Sequence, residues 1–195
     1  MLKNTLSVGK QLKELLGTEH FDALVEEAKA AAEKAEASTT RLSDAELAAL
    51  HGYTDHTRPD GENDYQVING ALRDGSREEL KLLAPYINAL IYALEKLPDY
   101  AGDVTRVTNL PQHVAETLAP GGTYSDPAFM STATGLSRFR GKYLFFIKSK
   151  TGKYIAPLSM YPYQHEVLYP PGKEFIIEAV RETAGGKVEV DLKEK

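Results

Sequence analysis

Three polar elements interrupt the β-forming part of this sequence, and each could do chemistry. The first is Arg106 in "DVTRVTNLP". The second is Ser131-Thr132 in "AFMSTAT". The third is Glu166 in "YQHEVLYPPG", with Gln164 two residues ahead of it. Each stands where strand alternation calls for an apolar or β-branched residue. A carboxylate can pair with a cation and help remove its proton, whereas an amide only hydrogen-bonds. Taken singly, each also has an ordinary reading: a paired arginine, polar strand residues, a solvated glutamate. The functional case rests on their order, spacing and neighbours. The histidines add little. His20, His51, His56 and His113 show no ligand spacing, so no metal site is expected. His165 lies between Gln164 and Glu166, and strand alternation assigns it to the opposite face, in a structural or solvent-facing role.

The elements that must position these residues divide the chain in two. Residues 1–40 read as helix, rich in Ala, Glu and Lys, with a thin apolar face of Phe21, Leu24 and Val25. They suit a helical extension or linker ahead of a catalytic domain at 41–195. Ser43 followed by Glu46 fits a capping box and opens a short helix. "GYTDHTRPDGEND" is a loop by composition. "YQVINGALR" follows as a helix, and "REELKLLAPYINALIYALEKLP" carries the clearest helical period, with Pro85 opening its second part. After Asp99 the texture becomes strand-like. "DVTRVTN", "PAFMSTAT", "KYLFFIK", "KYIAPL", "HEVLY", "EFIIEAV" and "KVEVDL" are strands parted by Thr-Gly, Pro-Pro-Gly and Gly-Gly turns, and "LPQHVAETLA" is a short helix. Helices first and strands afterwards make an α+β fold.

Composition bounds the chemistry. The chain has 195 residues and no cysteine, which excludes disulfides and thiol catalysis. No apolar run approaches a membrane span and no secretory signal opens the chain. The net charge of −5 hides an asymmetry, −7 over residues 1–100 and +2 over the rest. No Asp or Glu occurs between Asp126 and Glu166, a span that carries Arg138, Arg140, Lys142, Lys148, Lys150 and Lys153. This is either a solvated sheet face or a surface that meets an anion. There is no Gly-rich phosphate loop or Rossmann fingerprint.

The ordered trio "TRVTNLP", "FMSTAT" and "QHEVLYPPG" resembles the mono-ADP-ribosyltransferase toxins of the Arg–Ser–Glu class. The last motif is in its Gln-x-Glu form, and the resemblance runs from about Tyr53 to Leu192. It implies a core of N-terminal helices followed by a split mixed and antiparallel β-sheet, and NAD as co-substrate without a metal. Cleavage at the bond between nicotinamide and ribose would pass through an oxocarbenium-like state, as in glycoside hydrolysis. By resemblance Glu166 stabilises that charge and holds the ribose 2′-hydroxyl, and Ser131 orients Glu166. Arg106 holds pyrophosphate or the adjacent ribose. Thr132 fixes its strand, and Phe129 packs near the nicotinamide. Tyr161 and Gln164 would meet the acceptor, and Gln there goes with members that modify acceptors other than arginine. Two departures stand out: Val107 follows Arg106 where many relatives have Gly, and Ala133 replaces a second Ser.

The implied function is transfer of ADP-ribose from NAD to a macromolecular acceptor, a protein or an RNA, with nicotinamide release. The alternatives are an NAD glycohydrolase on the same fold, or a degenerate domain that only binds a partner. A bacterial toxin or effector domain of this kind, secreted or injected into a target cell as part of a larger protein, would also be expected to meet a cognate immunity protein.

Overall fold

The computed structural model describes residues 2–55, 63–135 and 140–195. His56 and Arg138 lie outside them. The chain packs into two units, Met1–Leu97 with Ile155–Tyr163, and Pro98–Tyr154 with Gln164–Lys195.

The first unit is helical. α1 (Leu2–Leu16) and α2 (Thr18–Lys34) are separated at Gly17, whose φ of 81° is a left-handed conformation that suits glycine. They precede α3 (Asp44–Tyr53), α4 (Asp64–Asp74) and α5 (Arg77–Lys96). The expected capping box opens α3: Glu46 N donates to Ser43 Oγ at 3.4 Å, and Ser43 N to Glu46 Oε2 at 2.7 Å. The helix runs on to Tyr53, the second residue of the stretch read as loop. α1 and α2, the residues read as an extension, pack on α3 and α5. Their Leu12, Phe21 and Leu24 are buried with Leu47, Leu50, Leu90 and Leu94. Each such burial stabilises by about 1.5–3 kcal/mol. Pro85 does not divide α5, which continues through it. A capping box at Ser76 and Glu79 starts the helix, and buried Tyr86, Ile87, Leu90 and Leu94 hold the remainder in register, outweighing one missing N–H.

The second unit is a seven-stranded mixed sheet. It contains β1 (Asp99–Thr108), a short helix α6 (Gln112–Ala115), β2 (Thr123–Ser125), β3 (Met130–Ala133), β4 (Tyr143–Tyr154), β5 (Glu166–Tyr169), β6 (Glu174–Glu182) and β7 (Val188–Glu194). The strand order is β1-β3-β5-β4-β7-β6-β2, with β1 also pairing β4. Among the described residues only β4 and β7 pair parallel. The first half of β4 lies between β1 and β7, and its last residues turn to β5, so β3 and β5 bridge the two long strands. This is the expected split sheet. Its core holds Val104, Phe145, Ile147, Val167, Tyr169, Phe175, Val190 and Leu192. Tyr124 meets Phe145 edge-on at 5.0 Å, and Tyr169 meets Phe175 at 5.2 Å.

Two readings of this region are corrected. "KYLFFIK" and "KYI" are not separate strands: β4 continues through Thr151-Gly152, where its register against β1 shifts. Gly152 serves close packing, because a Cβ there would lie 2.6 Å from Val167 Cγ1 and 2.9 Å from Tyr169 Cζ. "IAPL" is no strand either. Ala156–Leu158 form a 3-10 turn in the helical unit, where Leu158 O lies 2.9 Å from His51 Nδ1.

Candidate active site

Two short pairings in the sheet unit bring the polar elements together. β3 and β5 pair antiparallel with Ala133 opposite Glu166 and Ser131 opposite Leu168. Ser131 and Glu166 are therefore diagonal neighbours on one face. Ser131 Oγ donates to Glu166 Oε1 at 2.5 Å. β1 joins β3 where Thr105 faces Ala133. From β1, Arg106 Nη1 donates to Ser131 O at 2.8 Å. One serine thus meets both charged groups, the carboxylate through its hydroxyl and the guanidinium through its carbonyl.

Glu166 is 7 % exposed. Burial pushes its carboxyl up to about 7, while the Ser131 hydroxyl and the charge of Arg106 pull it down. A carboxylate held dry beside one cation is poised to gain when a second positive charge arrives. Arg106 is partly spoken for. Its Nη2 lies 3.9 Å from Asp126 Oδ2, and its buried Nε has no hydrogen-bond partner. The donor capacity left on this guanidinium fits an anionic group.

The remaining predicted residues differ in placement. Thr132 is buried and its Oγ1 donates to Val167 O at 2.7 Å, stapling β3 to β5. Phe129 has no exposed surface. Gln164 ends a 3-10 turn, Pro162–Gln164, and is half-buried. Tyr161 belongs to the helical unit, with its ring 5.9 Å from that of Tyr163. His165 is exposed and hydrogen-bonds Tyr154, with Nδ1 3.0 Å from the phenol oxygen. Its φ of 48° breaks the alternation from which its orientation was read, because β5 begins only at Glu166. The basic stretch is partly neutralised within the unit: Lys148 meets Glu178 at 3.9 Å and Lys153 meets Asp99 at 2.5 Å. Among the described residues, no group of three His, Asp or Glu side chains could hold a metal ion.

Sequence reasoning missed Asp126. It is buried beside Arg106, its Oδ1 accepts from Ala128 N at 3.0 Å, and its carbonyl accepts from Gly172 N at 2.8 Å. The available signal was "SDP", an Asx-type turn ahead of β3.

The chain is similar to several known proteins. A family model described as NAD:arginine ADP-ribosyltransferase matches residues 7–195. A Mycobacterium avium (strain 104) protein is 40% identical over 141 residues, covering 70% of this chain and 16% of that protein. The NAD(+)–protein-arginine ADP-ribosyltransferase Tre1 of Serratia proteamaculans (strain 568) is 36% identical over 165 residues, covering 84% of this chain and 35% of that protein. The chain thus spans between 16% and 35% of the length of these two relatives. Exoenzyme S of Pseudomonas aeruginosa, solved with human 14-3-3 protein beta and carba-NAD, shares the fold. Its TM-score is 0.74 at 20% identity, over 98% of this chain and 88% of that one.

Proposed function

The chain belongs to the NAD:arginine ADP-ribosyltransferase family, and on that footing we propose that it transfers ADP-ribose from NAD to an arginine side chain of a protein. The observation that carries the reading is the Ser131–Glu166 hydrogen bond of 2.5 Å, with Arg106 tied to the same serine. In this reading Arg106 holds the pyrophosphate with the donors that Ser131 O and Asp126 leave over. Ser131 fixes the Glu166 carboxylate in one rotamer, and Asp126 steadies Arg106. Nicotinamide leaves as a neutral ring, so no strong acid is needed, and Glu166 stabilises the positive charge that develops on the ribose. Its dry setting makes that stabilisation large, because less water screens it. Thr132 and Phe129 act as framework for the strand that carries Ser131. Tyr161 and Gln164 serve acceptor choice.

An arginine acceptor runs against the sequence expectation drawn from Gln164. What supports it is the family description and the name of the Serratia relative. Delivery into a target cell as part of a larger toxin, and neutralisation by a cognate immunity protein, belong to the same proposal. Among the described residues no helix is long and apolar enough to cross a membrane.

The test is purified protein, labelled NAD and a cell lysate, with Glu166→Ala as control. Label on protein that protease removes and RNase spares supports the reading, provided Glu166→Ala abolishes it. Label removed by RNase would name RNA as acceptor, and nicotinamide release without label would name water.

A further inference from the structure

Residues 155–165 join β4 to β5 and carry Tyr161 and Gln164, the pair assigned to acceptor choice. They form no strand. Two 3-10 turns, Ala156–Leu158 and Pro162–Gln164, give an irregular backbone whose polar groups have no ladder to join. Ile155–Tyr163 belong to the helical unit. Ile155, Ala156, Leu158 and Ser159 are buried there, whereas Tyr163 is exposed and set edge-on to Tyr161. The segment thus has an anchored stretch and, after it, a presented one.

The anchor is the C-terminal end of α3. His51 is buried, and its Nδ1 lies 2.9 Å from Leu158 O. A carbonyl oxygen only accepts, so Nδ1 carries the proton. Nε2 faces Glu27 of α2 at 3.5 Å. Thr54, the C-cap residue of α3, is buried as well. Its hydroxyl donates to His51 O at 2.8 Å and accepts from Met160 N at 3.0 Å. Ser159 Oγ then accepts from Tyr161 N at 3.0 Å. Backbone groups of Leu158, Met160 and Tyr161 are each held by a side chain, and those of Leu158 and Met160 are held from α3. Arg106, Ser131 and Glu166 all belong to the sheet unit and use none of these bonds.

We infer that His51 and Thr54 are positioning residues for acceptor transfer, holding residues 159–163 in the arrangement that receives the acceptor; the inference rests on the arginine-directed reading above. The groups that handle NAD are built on the sheet unit, and the acceptor segment is built on the helical unit. Loss of the anchor lowers the fraction of molecules with the segment in place. Apparent acceptor affinity falls by that same fraction. Cleavage of NAD by water does not need the segment and continues.

The experiment supplies labelled NAD and poly-L-arginine, a polypeptide of guanidino acceptors, and measures labelled polymer and free ADP-ribose separately. Thr54→Val keeps the shape of the side chain and removes its hydroxyl, so Met160 N loses its acceptor. The KM for poly-L-arginine should rise about 10-fold, the effect of one lost buried hydrogen bond. Hydrolysis without polymer and the Kd for NAD should not change. His51→Leu should behave in the same way. Thr54→Ser and His51→Asn, which keep a hydroxyl and an N–H donor at those places, should transfer like the wild type. An unchanged KM in both Thr54→Val and His51→Leu, or a parallel loss of transfer and hydrolysis, would overturn the assignment. So would conservative variants as impaired as the other two. Nicotinamide release without labelled polymer in the wild type would instead sink the arginine-directed reading, and this inference with it.

Discussion

Replacing Glu166 by Gln should stabilise the protein, and the gain should grow with pH. Burial raises the folded carboxyl from its ordinary 4.5 to about 7. The native state therefore holds this proton more tightly than the unfolded chain does. The stability that follows is complete below 4.5 and is lost as pH rises through about 7. Each pH unit between the two values is worth 1.36 kcal/mol, so full ionisation costs the fold about 3 kcal/mol. Between about pH 5 and about pH 8 the wild type should lose about 2–3 kcal/mol relative to Glu166→Gln, which has no proton to release. For a chain of this size that is a Tm difference of about 5–10 °C. The assay is thermal unfolding of both proteins at the two pH values. Other titrating groups are shared and cancel in the comparison, as does any constant cost of altering the Ser131 hydrogen bond. A Tm difference that stays the same at both pH values would refute the claim that Glu166 is a desolvated carboxyl.

On the proposed reading the same carboxyl also governs activity. If its ionised form stabilises the ribosyl cation, kcat/KM should rise with pH through about 7, and Ser131→Ala should move that rise upward by removing the donor that pulls the value down. Arg106→Ala should raise the Kd for NAD by about 10–100-fold, the loss of one or two charge-assisted hydrogen bonds, read by calorimetry. Glu166→Ala should leave NAD binding intact and abolish turnover. Gly152→Ala should destabilise by about 1–3 kcal/mol in denaturant titration, because its Cβ would press on Val167 and Tyr169.

The trio Arg106, Ser131 and Glu166 was legible because polar residues stand out in strands whose other positions must pack. The capping box at Ser43 and the periodic stretch of α5 were legible for a similar local reason: the signal lies within a few residues. What escaped notice depends on distant neighbours. Thr151-Gly152 has the composition of a turn, yet β4 runs on through it, with Gly152 packed closely against Val167 and Tyr169 of β5. β2 is three residues long and exists through its pairing with Phe175 and its neighbours. His165 was assigned a face by alternation, and a single left-handed residue removed the basis for that assignment. Asp126 marks the edge of the acid-free stretch, but only the fold shows Arg106 beside it.

The helical unit is completed by Ile155–Tyr163, which lies in sequence between β4 and β5. His51 reaches Leu158 O, and Thr54 Oγ1 accepts from Met160 N at 3.0 Å. The chain therefore crosses between the units at three points. As a tradeable module, this protein has no seam at residue 97. A recombination that moved only residues 98–195 to a new host gene would carry a segment whose partners stayed behind. That orphaned segment would end immediately before Gln164, His165 and Glu166, so the shuffled copy would lose order first at β5. Exchange among such proteins is expected to move the helices and the sheet together.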